Sequence, residues 1–286
     1  MINLDRRDFI ASLGGAAAVA AMSQEAKADA LEDHLAGRLH TAAAPAQPGG
    51  APEVFPTKAQ LVQQIPTRNY RRGVGVLFAA KAMGQLNGPS PPDLVTILEP
   101  MPAKPTFKDF LRLRFQWSME HCLQSANHAQ TTGADEEIVF ACFIHDHPQA
   151  LFRVNHGHWG GQLYDPYVSP RVAFAVRHHA ALRFFDDPKT GYSYPDLYRR
   201  MFGVDYIPPP DVQAEYEMVK KHKFYEAARA VTVHDLYAFD PNVKLTQGMF
   251  DPLVDKHFRQ PAQGLGYDGS TAAHLWRTIA NPDTPL

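Results

Sequence analysis

The residues with the most chemical potential in this chain are histidines and aspartates, and they cluster. Of 14 histidines, His121 precedes the dipeptide His145-Asp146. His156 and His158 come next, then His178 and His179, and finally Asp235. Neutral imidazoles and carboxylates together suit iron, manganese or zinc. An aspartate beside a histidine can bridge two ions through its two oxygens while the histidine ligates one. Two cations held close together bind and polarise dioxygen, a phosphoryl group or water. Cysteine is absent from the set, which argues against a closed structural zinc site. His145-Asp146 follows an apolar run from Ile138 to Ile144, where an ionisable pair is costly unless it is paired or metal-bound. Asp235 lies in a similar setting, Val231-Thr232-Val233-His234-Asp235-Leu236-Tyr237. The plainer alternatives are a buried salt-bridged pair at 145–146, a polar helix face shared by His121 and His128, and a helix cap or an Arg229 partner at Asp235.

These groups need helices to position them. Phe107, Phe110, Leu111, Phe115 and Met119 give an apolar stripe of helical period running on to about Ala129. Gly133 supplies a stop and Asp135 a cap for a helix over 136–145, apolar on most sides. Ser169-Pro170 opens a helix to Phe185. Pro208-Pro209-Pro210-Asp211 starts a long one toward residue 230. No strand pattern competes with these signals, and no internal repeat is visible.

Composition sets the outer limits. Lys and Arg number 28 against 30 Asp and Glu, so no basic field recommends nucleic acid or anionic lipid as a partner. Cys122 and Cys142 read as two buried small side chains, with a single bridge as the alternative. Arg6-Arg7, then an apolar stretch from Ala11 to Met22, then Ala26-Lys27-Ala28 resemble a twin-arginine export signal over residues 1–28. An ordinary secretory leader is the alternative. The run is too short for a membrane anchor. Residues 29–60, rich in Ala, Pro and Gly, read as a linker, and 61–105 as an extension of short helices. A body of about 190–230 residues remains, enough for one core.

Five segments carry a family resemblance. They are His121-Cys122-Leu123-Gln124-Ser125-Ala126, Phe143-Ile144-His145-Asp146, His156 with Gly160, His178 through Phe185, and Asp235. Together they resemble the HD-domain superfamily, closest to its mixed-valent diiron oxygenase branch, which includes myo-inositol oxygenases and organophosphonate-cleaving oxygenases. The resemblance covers 106–260 and leaves 261–286 as a tail. It implies an all-α single-domain helical bundle. It also implies two metal ions, iron first and manganese or another divalent ion second. His121, His145, Asp146 and Asp235 would hold one ion. Asp146 as the bridge, with His156 and His178, would hold the other. His156 is preferred over His158 because Gly160 then falls where the family has glycine, and His178 over His179 from the positions of Ala181 and Arg183. His145 and Asp146 stand at the reacting centre.

The match departs from the family at three places. Leu182 stands where the oxygenases carry a substrate-contacting lysine. His145-Asp146-His147-Pro148-Gln149 replaces H-D-x-G-H, and the loop on to His156 is shorter than usual. Leu111 and Arg114 stand near where a tyrosine or glutamate lid belongs. The expectation is therefore a metal-dependent oxygenase of a small hydroxylated molecule, exported to the periplasm or beyond through the twin-arginine machinery. A metal-dependent phosphohydrolase, with Arg153, Arg177, Arg183 and Lys189 as phosphate contacts, is the second reading. A non-catalytic metal-binding protein is the third.

Overall fold

The computed structural model of the chain describes residues 99–152, 155–240 and 242–281. The expected leader, the linker and most of the 61–105 extension lie outside the described residues. The rest is helical, with a lone bridge between Asp187 and Tyr192 as the nearest thing to a strand among the described residues. The helices are α1 Phe107–Leu113, α2 Met119–Thr131, α3 Glu136–Ile144, α4 His156–Tyr164, α5 Pro170–Leu182, α6 Asp196–Phe202, α7 Pro210–Val219, α8 Tyr225–Asp235, α9 Asp251–His257 and α10 Ala273–Ala280. A short 3₁₀ turn over His147–Ala150 joins α3 toward α4. No described helix is long and apolar enough to cross a membrane.

The caps follow local chemistry. Thr106 and Asp109 form a reciprocal capping box on α1. Asp135 accepts from the Ile138 amide, and Ser169 accepts from the Val172 amide. Gly133 sits at φ +85°, in the left-handed region that ends α2 without a Cβ penalty.

Three sequence expectations need correction. The stripe from Phe107 to Ala129 is two helices, not one, because the chain turns at 114–118. There the Arg114 guanidinium leaves α1 to donate to the carbonyls of Glu99, Ile279 and Ala280. The long helix from Pro210 likewise ends at Val219, and α8 begins only at Tyr225. The His222 ring accepts from the Phe224 amide inside that break. Lastly, 261–286 is not a mere tail. α10 carries Trp276, fully buried, with its ring within about 6 Å of Phe107, Phe110, Phe115, Tyr164, Tyr167 and Phe258. That aromatic cluster is one end of the core, and α10 closes it.

At the other end, α5 packs against α3, α4 and α8, and α2 against α3 and α8. Cys122 and Cys142 are both buried there as free thiols. The approach of α4 to α5 depends on small residues. A Cβ on Gly157 would meet the Arg177 carbonyl at 2.8 Å, and one on Gly160 would meet Pro148 Cγ and Val176 Cγ1, each at 2.8 Å. Pro148 and Val176 are packed on both sides, so neither can yield cheaply. Gly160→Ala is therefore expected to destabilise the protein by about 1–3 kcal/mol, as overpacked cores do. Thermal unfolding should show a lowered midpoint. An unchanged midpoint would mean that α4 and α5 have slack between them.

Candidate metal centre

Five helices deliver six polar side chains to one point in the apolar interior. His121 is in the first turn of α2, His145 closes α3, Asp146 is the next residue, His156 opens α4, His179 lies late in α5, and Asp235 ends α8. None is more than 3 % exposed. Asn155, just before α4, takes the left-handed φ of +57° that asparagine tolerates, and its side chain accepts from the His158 amide. That turn sends His156 inward and leaves His158 exposed.

The structure thus brings together His121, His145, Asp146, His156 and Asp235, and it places His178 elsewhere. His178 turns toward α7, where its Nδ1 is 2.7 Å from Glu215 Oε1 and its ring lies against Phe174. The inward position belongs to His179. The reason is helical phase. Val172, Val176 and His179 succeed one another along one buried stripe of α5, and adjacent residues point about 100° apart. That stripe was the available signal. The expectation of His178 at the centre is therefore corrected to His179.

The spacing of these donors could hold metal ions. His121 Nε2 lies 3.2 Å from His145 Nε2, 2.9 Å from Asp235 Oδ1 and 3.2 Å from Asp146 Oδ2. His156 Nε2 lies 3.1 Å from His179 Nε2 and 2.9 Å from Asp146 Oδ1, which is 3.7 Å from His179 Nε2. Ligands about 2.1 Å from a shared cation, at angles of about 90–120°, are separated by about 3.0–3.6 Å. Two groups of three donors lie mutually close enough to share an ion: His121, His145 and Asp235, and His145, Asp146 and His179. His145 belongs to both, but its Nε2 has one lone pair and can serve one ion. Asp146 has two oxygens directed at the two halves, so it is the group able to serve both.

The rings are held in the tautomer a cation needs. His145 Nδ1 donates to the Cys142 carbonyl and His179 Nδ1 to the Val176 carbonyl, each at 2.7 Å and each one turn back on its own helix. His121 Nδ1 donates to the Ala238 carbonyl at 3.3 Å. With Nδ1 donating outward, each of these rings turns Nε2 inward, where a cation could bind it once any Nε2 proton has left. Asp146 Oδ1 and Asp235 Oδ1 are buried among imidazole Nε2 atoms 2.9–3.7 Å away. Carboxylates at this depth are costly unless protons or a cation join them to their neighbours. The donor set therefore fits metal ions: buried imidazoles and carboxylates able to bind them.

Electrostatics agree. Burial pushes both carboxyls up, but the surrounding imidazoles outweigh it and hold Asp146 and Asp235 well below the usual carboxylate range. Burial pushes His121 down, yet Asp146 and Asp235 outweigh that and raise it to about 10. In the protein alone a proton on His121 offsets the carboxylates, and a cation would take its place. Burial lowers His179 to about 4, so that ring is neutral and ready to ligate. His147, next to the site, is lowered by burial to about 3 and is a core residue, stacked on Phe115 and bonded to Ser118.

Two glutamines complete the surroundings. Gln149 donates to Asp146 Oδ2 at 2.9 Å. Gln124 is buried and grips the segment after α8, donating to the Asp240 and Val243 carbonyls and accepting from the Asp240 amide. That segment lays Phe239 flat on His121, with ring centroids 4.5 Å apart. In the sequence, Gln124 stands out only as a motif letter and Gln149 only as a departure from one. Gln149→Leu is expected to leave two ions per chain but weaken metal affinity by about 10–100-fold, the usual effect of removing such a support. Chelator competition would measure it, and unchanged affinity would show that Gln149 does not steer the carboxylate.

No protein-family model matches this chain, and no curated protein does.

Proposed function

We propose that the chain is a dinuclear metalloenzyme of the HD-domain type, with two irons, that oxidises a small hydroxylated organic molecule using dioxygen. One observation carries the proposal. Four imidazoles and two carboxylates converge in a buried place, with their inward nitrogens and oxygens 2.9–3.7 Å apart. In this reading His121, His145, Asp235 and Asp146 Oδ2 hold one ion, and Asp146 Oδ1, His156 and His179 hold the other. A set of nitrogens and oxygens without thiolate suits iron. Two irons would supply one-electron redox chemistry toward dioxygen.

The protein's own residues supply the rest. Two carboxylates against two cations leave the site positive, which favours an oxyanion or an ionisable hydroxyl as ligand. The second set has three protein donors and the first has four, so substrate has more room on the His156–His179 side. The change of register also bears on substrate. Counted from His179, the position one turn later is Arg183 and not Leu182. Arg183 is buried at 1 % exposure, and a cation stands where the resemblance implies lysine. Arg177 is occupied differently, since its side chain lies over Gly161. Lys189 is exposed, so Arg183 is the phosphate or carboxylate contact this reading uses. Burial of the six donors keeps bulk water from the reacting centre.

The test is anaerobic purification with metal analysis, followed by electron paramagnetic resonance after partial oxidation. Two irons per chain and a mixed-valent signal are expected. Hydrolysis of phosphate esters with manganese and no dioxygen would replace this reading with the phosphohydrolase one. Bound metal without turnover on either substrate class would leave a metal-binding protein.

A further inference from the structure

A second histidine pair stands apart from the buried centre. His128, near the end of α2, and His234, near the end of α8, face each other with their Nδ1 atoms 2.8 Å apart. The Tyr237 ring lies flat on His128, centroids 4.1 Å apart and planes 11° from parallel, which fixes that ring. His128 is half-buried and Tyr237 is 60 % exposed, so the pair sits at the rim of the fold. His121 and His128 are separated by two turns of one helix, about 10 Å of rise. His234 directly precedes Asp235 in α8, but its ring turns to His128 at the rim rather than to the six buried donors.

We propose that His128 and His234 form a further cation site, taking a divalent ion such as Zn²⁺, Ni²⁺ or Cu²⁺ through their Nδ1 atoms. Two facing imidazole nitrogens cannot both present lone pairs at this distance, so in the protein alone one ring donates its Nδ1 proton to the other. Shifting that proton to Nε2 of the same ring changes no charge. It leaves one lone pair on each Nδ1, which a turn of the His234 ring would bring to bear on one ion. Nitrogens about 2.0–2.1 Å from a common cation and about 90° apart are separated by about 2.9 Å, close to the spacing already present. Paired imidazoles favour the later transition metals over magnesium or calcium, which prefer oxygen ligands. The two donors come from separate helices that pack against each other, so the ion would pin the end of α2 to the end of α8. Water fills the remaining positions, and the ion exchanges readily.

The experiment uses the full chain with its buried centre already filled with Zn²⁺. Equilibrium dialysis against further Zn²⁺ should show one additional equivalent per chain. Added Cu²⁺ should give a paramagnetic signal split by two nitrogens. In His128→Gln the extra equivalent should weaken by about tenfold or more, while the metal content of the buried centre stays as it was. Added Zn²⁺ should raise the unfolding midpoint of the unsubstituted protein and not that of His128→Gln. No additional equivalent overturns the proposal. So does one that survives the substitution, and so does a copper signal without two-nitrogen splitting, which is read on the unsubstituted protein and needs no variant to fold.

Discussion

Replacing Asp146 with alanine should strip the protein of both ions, whereas replacing it with asparagine should strip only one. The difference follows from the two oxygens. Oδ2 faces His121 and accepts from Gln149, and Oδ1 faces His156 and His179. Alanine offers neither oxygen, so both halves lose the ligand they share. Asparagine keeps one carbonyl oxygen. Gln149 Nε2 can only donate, so the carbonyl stays on its side and the amide NH₂ turns to His156. An NH₂ cannot ligate, but it can donate to the facing imidazole lone pairs, so the fold should survive. The first ion should remain and the second should leave. Turnover should fall by about a thousandfold or more in both variants, about 4 kcal/mol of barrier. Metal analysis of the two purified proteins decides the matter. Two ions per chain in Asp146→Asn would mean that the carboxylate does not span the two halves.

The second large effect separates neighbouring residues. His179→Ala should retain one ion per chain and lose the other, because His179 Nε2 faces His156 and Asp146. His178→Ala should retain both. Its loss removes a hydrogen bond to Glu215, a residue about a third exposed, and some packing on Phe174. The cost is about 1 kcal/mol after solvent screening. Metal stoichiometry and the mixed-valent signal are the readouts. The reverse outcome, with His178→Ala losing an ion, would overturn the assignment of α5's inward face.

Much of this protein is legible along the chain. Asp135 and Ser169 cap helices as their types predict, and Gly133 ends one where a positive φ is needed. The helical class, which holds for the described residues, is signalled by apolar periodicity together with these caps. Most of the centre is legible too, because a histidine or aspartate inside an apolar run has few stable explanations. That is why His121, His145, Asp146 and Asp235 stand out in the linear chain. The choice of His156 over His158 rests on the resemblance, which implies a glycine at 160, and the structure buries His156 and exposes His158.

Other features depend on contacts between distant residues. Arg114 breaks the first apolar stripe because carbonyls at the end of α10 call for a donor, and nothing near residue 114 announces residue 280. Trp276 turns an apparent tail into core for the same reason. Gln149 and Gln124 have roles only once Asp146 and the segment after α8 are in place. Between His178 and His179 the motif points one way and the apolar stripe the other, and packing of α5 against α3, α4 and α8 settles the helix phase. The linear order of residues set which ligand types are available and which helices carry them. Packing of those helices chose the face of each that points inward, because rotating a helix by one residue costs little locally and everything in the neighbours it must meet.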